Sequence, residues 1–401
     1  MKICLLSTSL LKTPPLFGGA IEIFTYELGR GLAKLNNRVI IITINGRIEI
    51  SKVEPNLKIV PLKIPFNSFF RGIIYNFKIV KYLLKQELID ILHTQGTAVF
   101  PSAYFVSKRR GIPIIHTEHV YSPWILTSFK KLVRIIKYPF ERFLGQFTLN
   151  NAEKIVVATE FMQKSLQAAN PKIKSKIEII PQGINQEMFN PKVNQTYVRK
   201  KYNLSETDKL ILYVGRITPE KNIEILIKAF SMLRKKYDNI NLFLVGPKFS
   251  QFPTKSVKKF SKYYLKLKDW IQKNNLTDAI VFTGSIPYEK IPYYYAACDL
   301  FVQPSLLETF GRATFEAAAV GCPFINSLIG KKKPFYLPKE SGIFIEETNS
   351  LKLQSAVQTI LDNEAKFKES GKLSASLMQI QYNWIEIAKK YLKIYRDLIK
   401  N

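Results

Sequence analysis

Short apolar runs rich in β-branched residues alternate with helical patterns along the whole chain, and this alternation restricts the possible folds. The first run, Lys2–Ser7, precedes a loop with Gly18-Gly19, a predicted helix over Ala20–Leu35 and a second strand over Arg38–Thr43. Strands that are apolar at every position are buried on both faces, as in a parallel sheet covered by helices. The sequence therefore predicts an α/β fold built on parallel sheets.

The alternation restarts in the second half of the chain, after Pro181-Gln182-Gly183 and a polar stretch over residues 185–203 that together predict a hinge. The further predicted strands are Asp90–Thr94, Pro113–His116, Lys154–Ala158, Ile177–Ile180, Leu210–Val214, Asn241–Val245, Ala279–Phe282, Leu300–Gln303 and Pro323–Asn326. We expect two Rossmann-like domains, residues 1–184 and 185–383, with an amphipathic helix over 384–401 completing the first. Ligands bind at the carboxyl ends of such strands, so two sheets that face each other across a cleft would place the chemistry on the loops after strands.

The charge of the chain favours an anionic partner. Its 401 residues include 60 Lys and Arg against 31 Asp and Glu, a formal net charge of +29. Nucleic acid, an acidic membrane face and phosphorylated ligands all suit this excess, although a general bias towards lysine and isoleucine explains it equally well. No recognised nucleic-acid-binding module accompanies the lysine-rich segment Lys255–Lys268, so we expect no nucleic-acid partner.

Cys4, Cys298 and Cys322 lie far apart in apolar stretches, and no pair has the spacing of a metal site or a redox motif. We expect buried, inert thiols and a reducing, cytoplasmic compartment. The N-terminal apolar run is too short for a signal peptide, and no run approaches the roughly 20 apolar residues that span a bilayer. Any contact with a membrane is therefore expected at its surface.

Arg216 and Lys221 flank a turn between the strand Leu210–Val214 and a helix predicted to begin near Pro219 or Glu220. A guanidinium fork and a point charge at a helix N-terminus can bind a pyrophosphate. Two solvated surface cations are the alternative, and for this pair alone the more common case.

Two glutamates follow the strand Leu300–Gln303. Glu308 lies on the loop, and Glu316 lies inside the next predicted helix among Phe315 and alanines, a setting that predicts burial. A buried carboxylate needs hydrogen-bond donors, and the hydroxyls of a ribose or hexose are suitable. Gly311 would let the backbone approach an anion closely. A capping glutamate and an incidental one are the alternative.

Three motifs of the second half resemble the retaining family 4 glycosyltransferases of GT-B fold, the glycosyl transferases group 1. They are, in order, Gly-Arg, Glu-Lys and a Glu-x7-Glu motif in the frame Pro-Ser-x-x-Glu-x-Phe-Gly. Further matches follow in order over nearly the whole chain: Gly18-Gly19, Glu22, Asp90-x-x-His93, Thr117-x-His119, Ile179-Ile180-Pro181-x-Gly183, Val245-Gly246, Phe282-x-Gly284, Gly321-x-Pro323 and Trp384.

The resemblance implies a role for each matching residue of the second domain. Arg216 and Lys221 would bind the donor diphosphate and stabilise the leaving nucleotide. Glu316 would bind the ribose hydroxyls, and Glu308 would bind hydroxyls of the donor sugar. The implied donor-binding residues are Gly18, Gly19, Arg216, Lys221, Ile286, Glu308, Thr309, Phe310, Gly311 and Glu316.

Within that set, Gly18 and Gly19 would close over the diphosphate, Ile286 would contact the base, and the backbone of Phe310 and Gly311 would lie against the sugar. The implied catalytic residues are His119, Glu308, Arg216 and Lys221. The chain has three histidines, and a neutral imidazole at a strand end can bind a sugar hydroxyl or the acceptor. We favour a functional role for His119 and structural roles for His93 and His116. A zinc site is a further alternative, with only Glu118 as a nearby carboxylate.

The chain has no Asp-x-Asp pattern of the kind that holds a donor through a metal ion in the other major transferase fold. The cations Arg216 and Lys221 can neutralise a leaving diphosphate instead, so we expect no metal requirement and no other cofactor. Retention of configuration is implied by the resemblance alone. Because no carboxylate of the matched motifs is an obvious nucleophile, we expect departure of the leaving group from the front face.

The sequence departs from the family pattern at several positions: Gln95 stands where a second histidine is frequent, Gln182 where an asparagine is frequent, Lys331–Lys333 where many members have Gly-Gly and a glutamate, and Arg312 where the residue is usually aliphatic. The lysines could extend the phosphate site, although we favour a solvated loop. Arg312 adds a cation near the predicted donor.

Two basic, aromatic segments of the first domain, Lys63–Lys85 and Tyr121–Phe147, are typical of contact with an anionic membrane surface. A solvated inter-domain loop over an apolar core is the alternative.

Taken together, the family resemblance and these segments predict a transferase that moves a hexose from a UDP- or GDP-type donor to a glycan or lipid-linked acceptor. A non-catalytic nucleotide-sugar-binding protein is the alternative function. A dehydrogenase would need Gly-x-Gly-x-x-Gly after the first strand, which is absent.

Overall fold

A computed structural model describes residues 1–45, 54–65, 70–120, 131–247, 257–327, 337, 341–347 and 349–400, without the side chains of 131–138 and 257–260. The chain divides into two compact units. The first unit consists of Met1–Gly183 with Tyr382–Asn401, and the second of Ile184–Gln381. The predicted divisions after residues 184 and 383 lie one and two residues further along the chain.

The first unit contains a sheet of seven strands in the order β3-β2-β1-β4-β5-β6-β7, and every neighbouring pair is parallel. The strands are β1 (Lys2–Leu6), β2 (Arg38–Ile44), β3 (Leu57–Leu62), β4 (Ile91–Thr94), β5 (Ile114–Glu118), β6 (Lys154–Val157) and β7 (Ile177–Ile179). The sequence did not predict β3. This strand lies at an edge of the sheet, is partly exposed and contains Pro61, so it lacks a continuous apolar run.

The second unit contains a parallel sheet of six strands in the order β10-β9-β8-β11-β12-β13. The strands are β8 (Lys209–Val214), β9 (Ile240–Val245), β10 (Ile280–Gly284), β11 (Leu300–Gln303), β12 (Phe324–Ser327) and β13 (Gly342–Ile345). The edge strand β13 was also not predicted, since only four residues form it and two of them are partly exposed. Both sheets confirm the predicted α/β class with parallel strands.

Helices flank the strands in each unit. They are α1 (Ala20–Lys34), α2 (Arg71–Leu84), α3 (Phe100–Arg110), α4 (Lys131–Asn151), α5 (Glu160–Ala169), α6 (Thr196–Lys201), α7 (Ile223–Arg234), α8 (Val257–Lys273), α9 (Ile291–Ala297), α10 (Arg312–Val320), α11 (Ser350–Leu361), α12 (Glu364–Gln381) and α13 (Trp384–Lys400). In the described parts of the chain, none of them is both long enough and apolar enough to cross a membrane.

The stretch predicted as a hinge contains ordered structure of the second unit. Helix α6 lies within it, and Val198 is fully buried. Arg199 donates from Nη2 to Asp299 Oδ2 at 2.9 Å and therefore ties this helix to the start of β11. The hinge prediction is wrong for these residues, because polarity along a short helix reflects its exposed face and not the absence of structure.

The two distant cysteines of the second unit meet in space. Cys298 follows α9 and Cys322 precedes β12, and their Sγ atoms lie 2.9 Å apart in the buried core. The sequence predicted buried thiols, which is confirmed, but it indicated no pair. The pairing arises because β11 and β12 are neighbours in the sheet, so the segments that lead into them converge.

The C-terminal helix α13 packs on α1 within the first unit. Trp384, Ile387 and Tyr391 belong to the same buried cluster as Phe24 and Leu28 of α1. The two helices approach closely at a glycine, where a Cβ atom on Gly31 would lie 2.6 Å from the carbonyl oxygen of Trp384. The first unit therefore uses both ends of the chain for one core.

We predict that Gly31→Ala destabilises the protein, because the added methyl group overlaps the backbone of α13. Overpacking of this kind costs about 1–3 kcal/mol. Gly72→Ala is the matched control, since Gly72 also lies in a helix but its Cβ would have no atom within 4 Å. Denaturant unfolding should show a loss of stability for the first variant and, from helix propensity, a gain of about 0.5–1 kcal/mol for the second. Equal stability of the two variants would contradict the packing argument.

Candidate active site

The turn after β8 carries the two predicted phosphate-binding cations. Arg216 has an exposed side chain that pairs with Glu220 at 3.3 Å. Pro219–Lys221 form one turn of 3-10 helix, and Asn222 in the left-handed conformation (φ 57°) separates it from α7. A helical turn therefore begins where the sequence predicts it, near Pro219 or Glu220, but the α-helix begins one turn later, after Lys221.

This turn contacts the loop after β11. The backbone N–H of Leu306 donates to the carbonyl oxygen of Glu220 at 2.9 Å, and Lys221 Nζ pairs with Glu308 Oε1. The contact follows from topology, because β8 and β11 are adjacent and parallel, so their carboxyl ends lie side by side. The structure thus brings together Lys221 and Glu308, whereas Arg216 contacts its own turn.

One oxygen of Glu308 accepts all of its described hydrogen bonds. Gln303 Nε2 donates to Oε1 at 2.6 Å and Ser305 Oγ at 2.9 Å, in addition to Lys221. Burial by itself would raise the pKa of Glu308, but Lys221 and the two neutral donors outweigh it and lower the pKa below its ordinary value. The carboxylate is therefore ionised at neutral pH, and none of these bonds uses Oε2.

A buried network of hydrogen bonds fixes the orientation of Gln303, one of the donors to this carboxylate. Thr314 Oγ1 donates to Gln303 Oε1, and Asn326 Nδ2 donates to Thr314 Oγ1 at 2.7 Å. The sequence motifs did not predict a role for Gln303, Thr314 or Asn326. A usable signal was present, because Gln303 ends β11 after three apolar residues and Asn326 follows the apolar Phe324 and Ile325 in β12.

Gly311 precedes α10 directly, as predicted for the start of that helix. Its φ of 84° lies in the region that favours glycine, although a Cβ there would meet only ordinary contacts, 3.7 Å from Asn326 Nδ2 and Gln303 Oε1. Phe310 is buried and packs on Phe315 with ring centroids 4.3 Å apart. Thr309 between this pair and Glu308 is half-buried.

Glu316 is only 4% exposed, which confirms the predicted burial. The protein itself supplies its donors: Tyr288 OH at 2.8 Å and Arg312 Nε at 2.9 Å to Oε1, and Tyr295 OH at 3.3 Å to Oε2. Burial opposes the charge on Arg312, but Tyr288 and Glu316 outweigh it and raise the pKa of Arg312. Ile286, the position expected to contact a base, is half-buried two residues before Tyr288.

In the first unit, His119 directly follows β5. Its Nε2 lies 2.9 Å from Gln95 Oε1, and its ring meets Phe24 edge-on with centroids 4.6 Å apart. Gln95 directly follows the neighbouring strand β4 and is fully buried. The structure therefore joins His119 to the residue that stands where the family pattern often has a second histidine.

Structural hydrogen bonds account for the other two histidines. His93 bridges Tyr395 OH and Thr117 Oγ1, each at 2.7 Å, and burial, reinforced by the neighbouring histidines, lowers the pKa of His93 well below its ordinary value. His116 bonds to Thr94 Oγ1 at 2.8 Å. In the described residues, no group of three or more His, Cys, Asp or Glu side chains could hold a metal ion, so the zinc alternative has no support there.

Gly18 and Gly19 lie on the loop before α1 and both have positive φ, 82° and 125°. A Cβ on Gly19 would lie 2.8 Å from Glu22 Oε2, while Gly18 faces open space. Glu22 accepts a 2.5 Å hydrogen bond from Thr8, and burial raises the pKa of Glu22. The structure does not describe Lys331–Lys333 or residues 121–130, so the predictions made for them lie outside the described residues.

The two halves of the sequence match two family models. The model described as Glycosyltransferase Family 4 matches residues 17–188, and the model described as Glycosyl transferases group 1 matches residues 194–376. Together they extend over both units. The chain therefore belongs to the family 4 glycosyltransferases and is a glycosyltransferase.

Two relatives that match over nearly the whole chain are named for the transfer of N-acetylglucosamine. The chain is 24% identical over 395 residues to the phosphatidylinositol N-acetylglucosaminyltransferase GPI3 subunit of Saccharomyces cerevisiae, covering 95% of this chain and 80% of that one. It is 26% identical over 397 residues to the lipopolysaccharide 1,2-N-acetylglucosaminetransferase of Salmonella typhimurium, covering 97% of both chains.

Solved structures confirm the predicted GT-B fold. Sucrose-phosphate synthase from Thermosynechococcus elongatus matches with a TM-score of 0.81 at 23% identity over 100% of this chain and 99% of that one. Anabaena HepE in complex with UDP and glucose matches with a TM-score of 0.77 at 16% identity over 99% of this chain and 100% of that one.

We predict that Lys221→Met destabilises the protein by about 3 kcal/mol at neutral pH, because it leaves the Glu308 charge buried without its cation. The pKa of Glu308 is depressed in the folded protein, so the pair stabilises above the ordinary carboxyl pKa and the effect is lost as pH falls through the folded value. Urea unfolding at about pH 7 and about pH 3 should show the wild-type advantage shrinking in acid. A difference independent of pH would contradict the ion pair.

Proposed function

We propose that this glycosyltransferase moves a hexose from a UDP- or GDP-type sugar to a glycan or lipid-linked acceptor. The observation that carries this proposal is the arrangement around Glu308. Its Oε1 accepts from Lys221, Gln303 and Ser305, which leaves Oε2 to accept from a hydroxyl of the donor sugar. The bond from Leu306 to Glu220 keeps the turn with Arg216 beside this carboxylate.

Arg216 and Lys221 bind the diphosphate in this proposal. The 57% exposed side chain of Arg216 supports it, because a guanidinium with one surface partner can exchange Glu220 for phosphate oxygens at little cost. Glu316 binds the ribose, and Ile286 contacts the base. The backbone of Phe310 and Gly311, with Thr309, lies against the sugar.

In the first unit, Gly18 and Gly19 form the loop that closes over the diphosphate, and His119 binds the acceptor or a sugar hydroxyl. The open space at Gly18 supports a close approach of ligand to backbone. The bond between His119 and Gln95 supports a fixed orientation of the imidazole.

The reaction needs no metal in this proposal, since two cations neutralise the leaving diphosphate. It retains the anomeric configuration through departure and attack on the same face. The arrangement of Glu308 supports that route over a double displacement, because Lys221, Gln303 and Ser305 occupy Oε1 and, in this proposal, a hydroxyl of the donor sugar occupies Oε2.

The names of related proteins and of structural neighbours favour particular substrates. The HepE structures contain UDP or UDP-glucose, which favours a uridine donor here. The yeast and Salmonella relatives are named for phosphatidylinositol and lipopolysaccharide, which favours an acceptor carried by a lipid.

An exposed apolar face of α2 supports an acceptor presented at a membrane. Ile73 and Phe77 are 68% and 69% exposed and lie one turn apart, with exposed Lys81 one further turn along. Tyr75 and Ile79 are buried on the opposite side of the helix. A helix with apolar residues exposed beside lysines suits the surface of an anionic bilayer, so the protein is proposed to bind the membrane face peripherally.

We predict that the protein releases UDP or GDP from one nucleotide hexose, and that adding a lipid-linked acceptor increases the release. Activity should be unchanged in excess chelator. Glu316→Ala and Arg216→Ala should each lower kcat/KM at least about tenfold, because each removes a charge-assisted contact to the donor. A coupled assay of nucleoside diphosphate release measures all of these effects.

Lys273→Ala is the control for the charge changes, since Lys273 is exposed on α8 and, among the described residues, pairs with Asp269 alone. Donor binding without turnover on any acceptor would contradict the transferase proposal, and loss of activity in chelator would contradict the metal-free route. Product NMR with an inverted anomeric centre would contradict retention.

We predict that vesicles containing phosphatidylglycerol bind the protein and that pure phosphatidylcholine vesicles bind it weakly. Ile73→Ser with Phe77→Ser should reduce binding to the anionic vesicles at least about tenfold, because two apolar side chains no longer enter the bilayer. Leu373→Ser with Ile380→Ser is the matched control, since these α12 residues are 62% and 69% exposed. Equal losses in both pairs, measured by vesicle flotation, would contradict a specific membrane face.

A further inference from the structure

A closed ring of hydrogen bonds surrounds the glutamate that is proposed to bind ribose. Arg312 Nε donates to Glu316 Oε1 at 2.9 Å, and Arg312 Nη2 donates to Tyr288 OH, also at 2.9 Å. Tyr288 OH in turn donates to the same Oε1 at 2.8 Å. Three side chains from α10 and from the segment after β10 therefore fix one another.

The ring determines which oxygen of Glu316 can serve a ligand. Oε1 accepts from both Arg312 and Tyr288, whereas Oε2 has one longer bond, 3.3 Å from Tyr295 OH. A carboxylate oxygen can accept at least two hydrogen bonds. Oε2 therefore keeps an acceptor position, and the ring holds the carboxylate so that this position cannot rotate away.

Arg312 has one donor atom more than the ring uses. Its Nη1 is buried and, among the described residues, has no hydrogen-bond partner. The side chain as a whole is 11% exposed and permanently charged. Leaving a buried N–H of a cation without an acceptor is costly, so an oxygen from a bound molecule is the expected partner.

We propose that Arg312 is a specificity-determining residue of the nucleotide site. It positions Glu316 so that Oε2 accepts from a ribose hydroxyl, and its Nη1 donates to an oxygen of the same nucleotide. This inference rests on the proposed function of the second unit. An ion pair that only stabilises α10 is the alternative, and it makes different predictions for ribose analogues.

The test compares the affinities of UDP, 2′-deoxy-UDP and 3′-deoxy-UDP by calorimetry, with the GDP series in parallel. For the wild type, we expect at least one deoxy analogue to bind about tenfold more weakly, because a hydroxyl donor to a carboxylate is lost. In Arg312→Leu this ratio should fall to about one, since Glu316 is no longer held in place. The affinity for the deoxy analogue itself should also fall, through loss of Nη1.

Tyr288→Phe tests the ring without removing the cation and should lower the ratio while retaining most of the deoxy-analogue affinity. It also keeps the test decisive if Arg312→Leu unfolds. Lys273→Leu removes an exposed pair with the same i,i+4 spacing, Asp269–Lys273, and should change neither quantity. Thermal unfolding without nucleotide confirms that each variant is folded.

A folded Arg312→Leu protein that keeps the wild-type ratio would overturn the proposal, and so would unchanged affinity for the deoxy analogue. A wild type that binds the diphosphates without distinguishing ribose analogues would overturn the ribose role of Glu316 in the proposed function, and this inference with it. Retained discrimination in the variant would overturn this inference alone.

Discussion

The contact between Lys221 and Glu308 is the interaction on which the second unit's site depends. It joins two loops that are far apart in the chain, and it exists because β8 and β11 are adjacent parallel strands. A buried carboxylate without a cation would be protonated or displaced. With the cation, and with Gln303 and Ser305 bonded to the same oxygen, Glu308 stays ionised and its carboxylate keeps a fixed orientation. The Leu306–Glu220 bond joins the same two loops and holds the turn that carries Arg216 beside Glu308.

The two glutamates of the Glu-x7-Glu motif obey one physical rule in different surroundings. Each has one oxygen that accepts two or more donors from the protein, which restrains the carboxylate. Glu308 achieves this with a lysine from a neighbouring loop, and Glu316 with an arginine one turn earlier on its own helix. In the proposed function, restraint of this kind reduces the entropy lost when the donor binds, because the acceptor oxygen is already oriented.

The three histidines of the first unit lie close together in the sequence but differ in their burial. His93 and His116 lie inside the sheet with hydroxyl partners, and His93 is further enclosed by Tyr395 of α13. His119 lies one residue beyond β5 and pairs with Gln95. The C-terminal helix thus contributes to the neighbourhood of these residues, because α13 packs on α1 and reaches the strands beneath it.

The sequence by itself determined the parallel α/β class, the family and the burial of Glu316, because continuous apolar runs and ordered motifs are local in the chain. It missed β3 and β13, since edge strands bury less and need no such runs. It misplaced the start of α7, because the left-handed Asn222 interrupts the helix. Only the tertiary structure decided the partners: Lys221 with Glu308, Arg312 and Tyr288 with Glu316, and Cys298 with Cys322. The Lys221–Glu308 and Cys298–Cys322 pairs follow from strand order, and strand order depends on contacts between residues distant in the sequence.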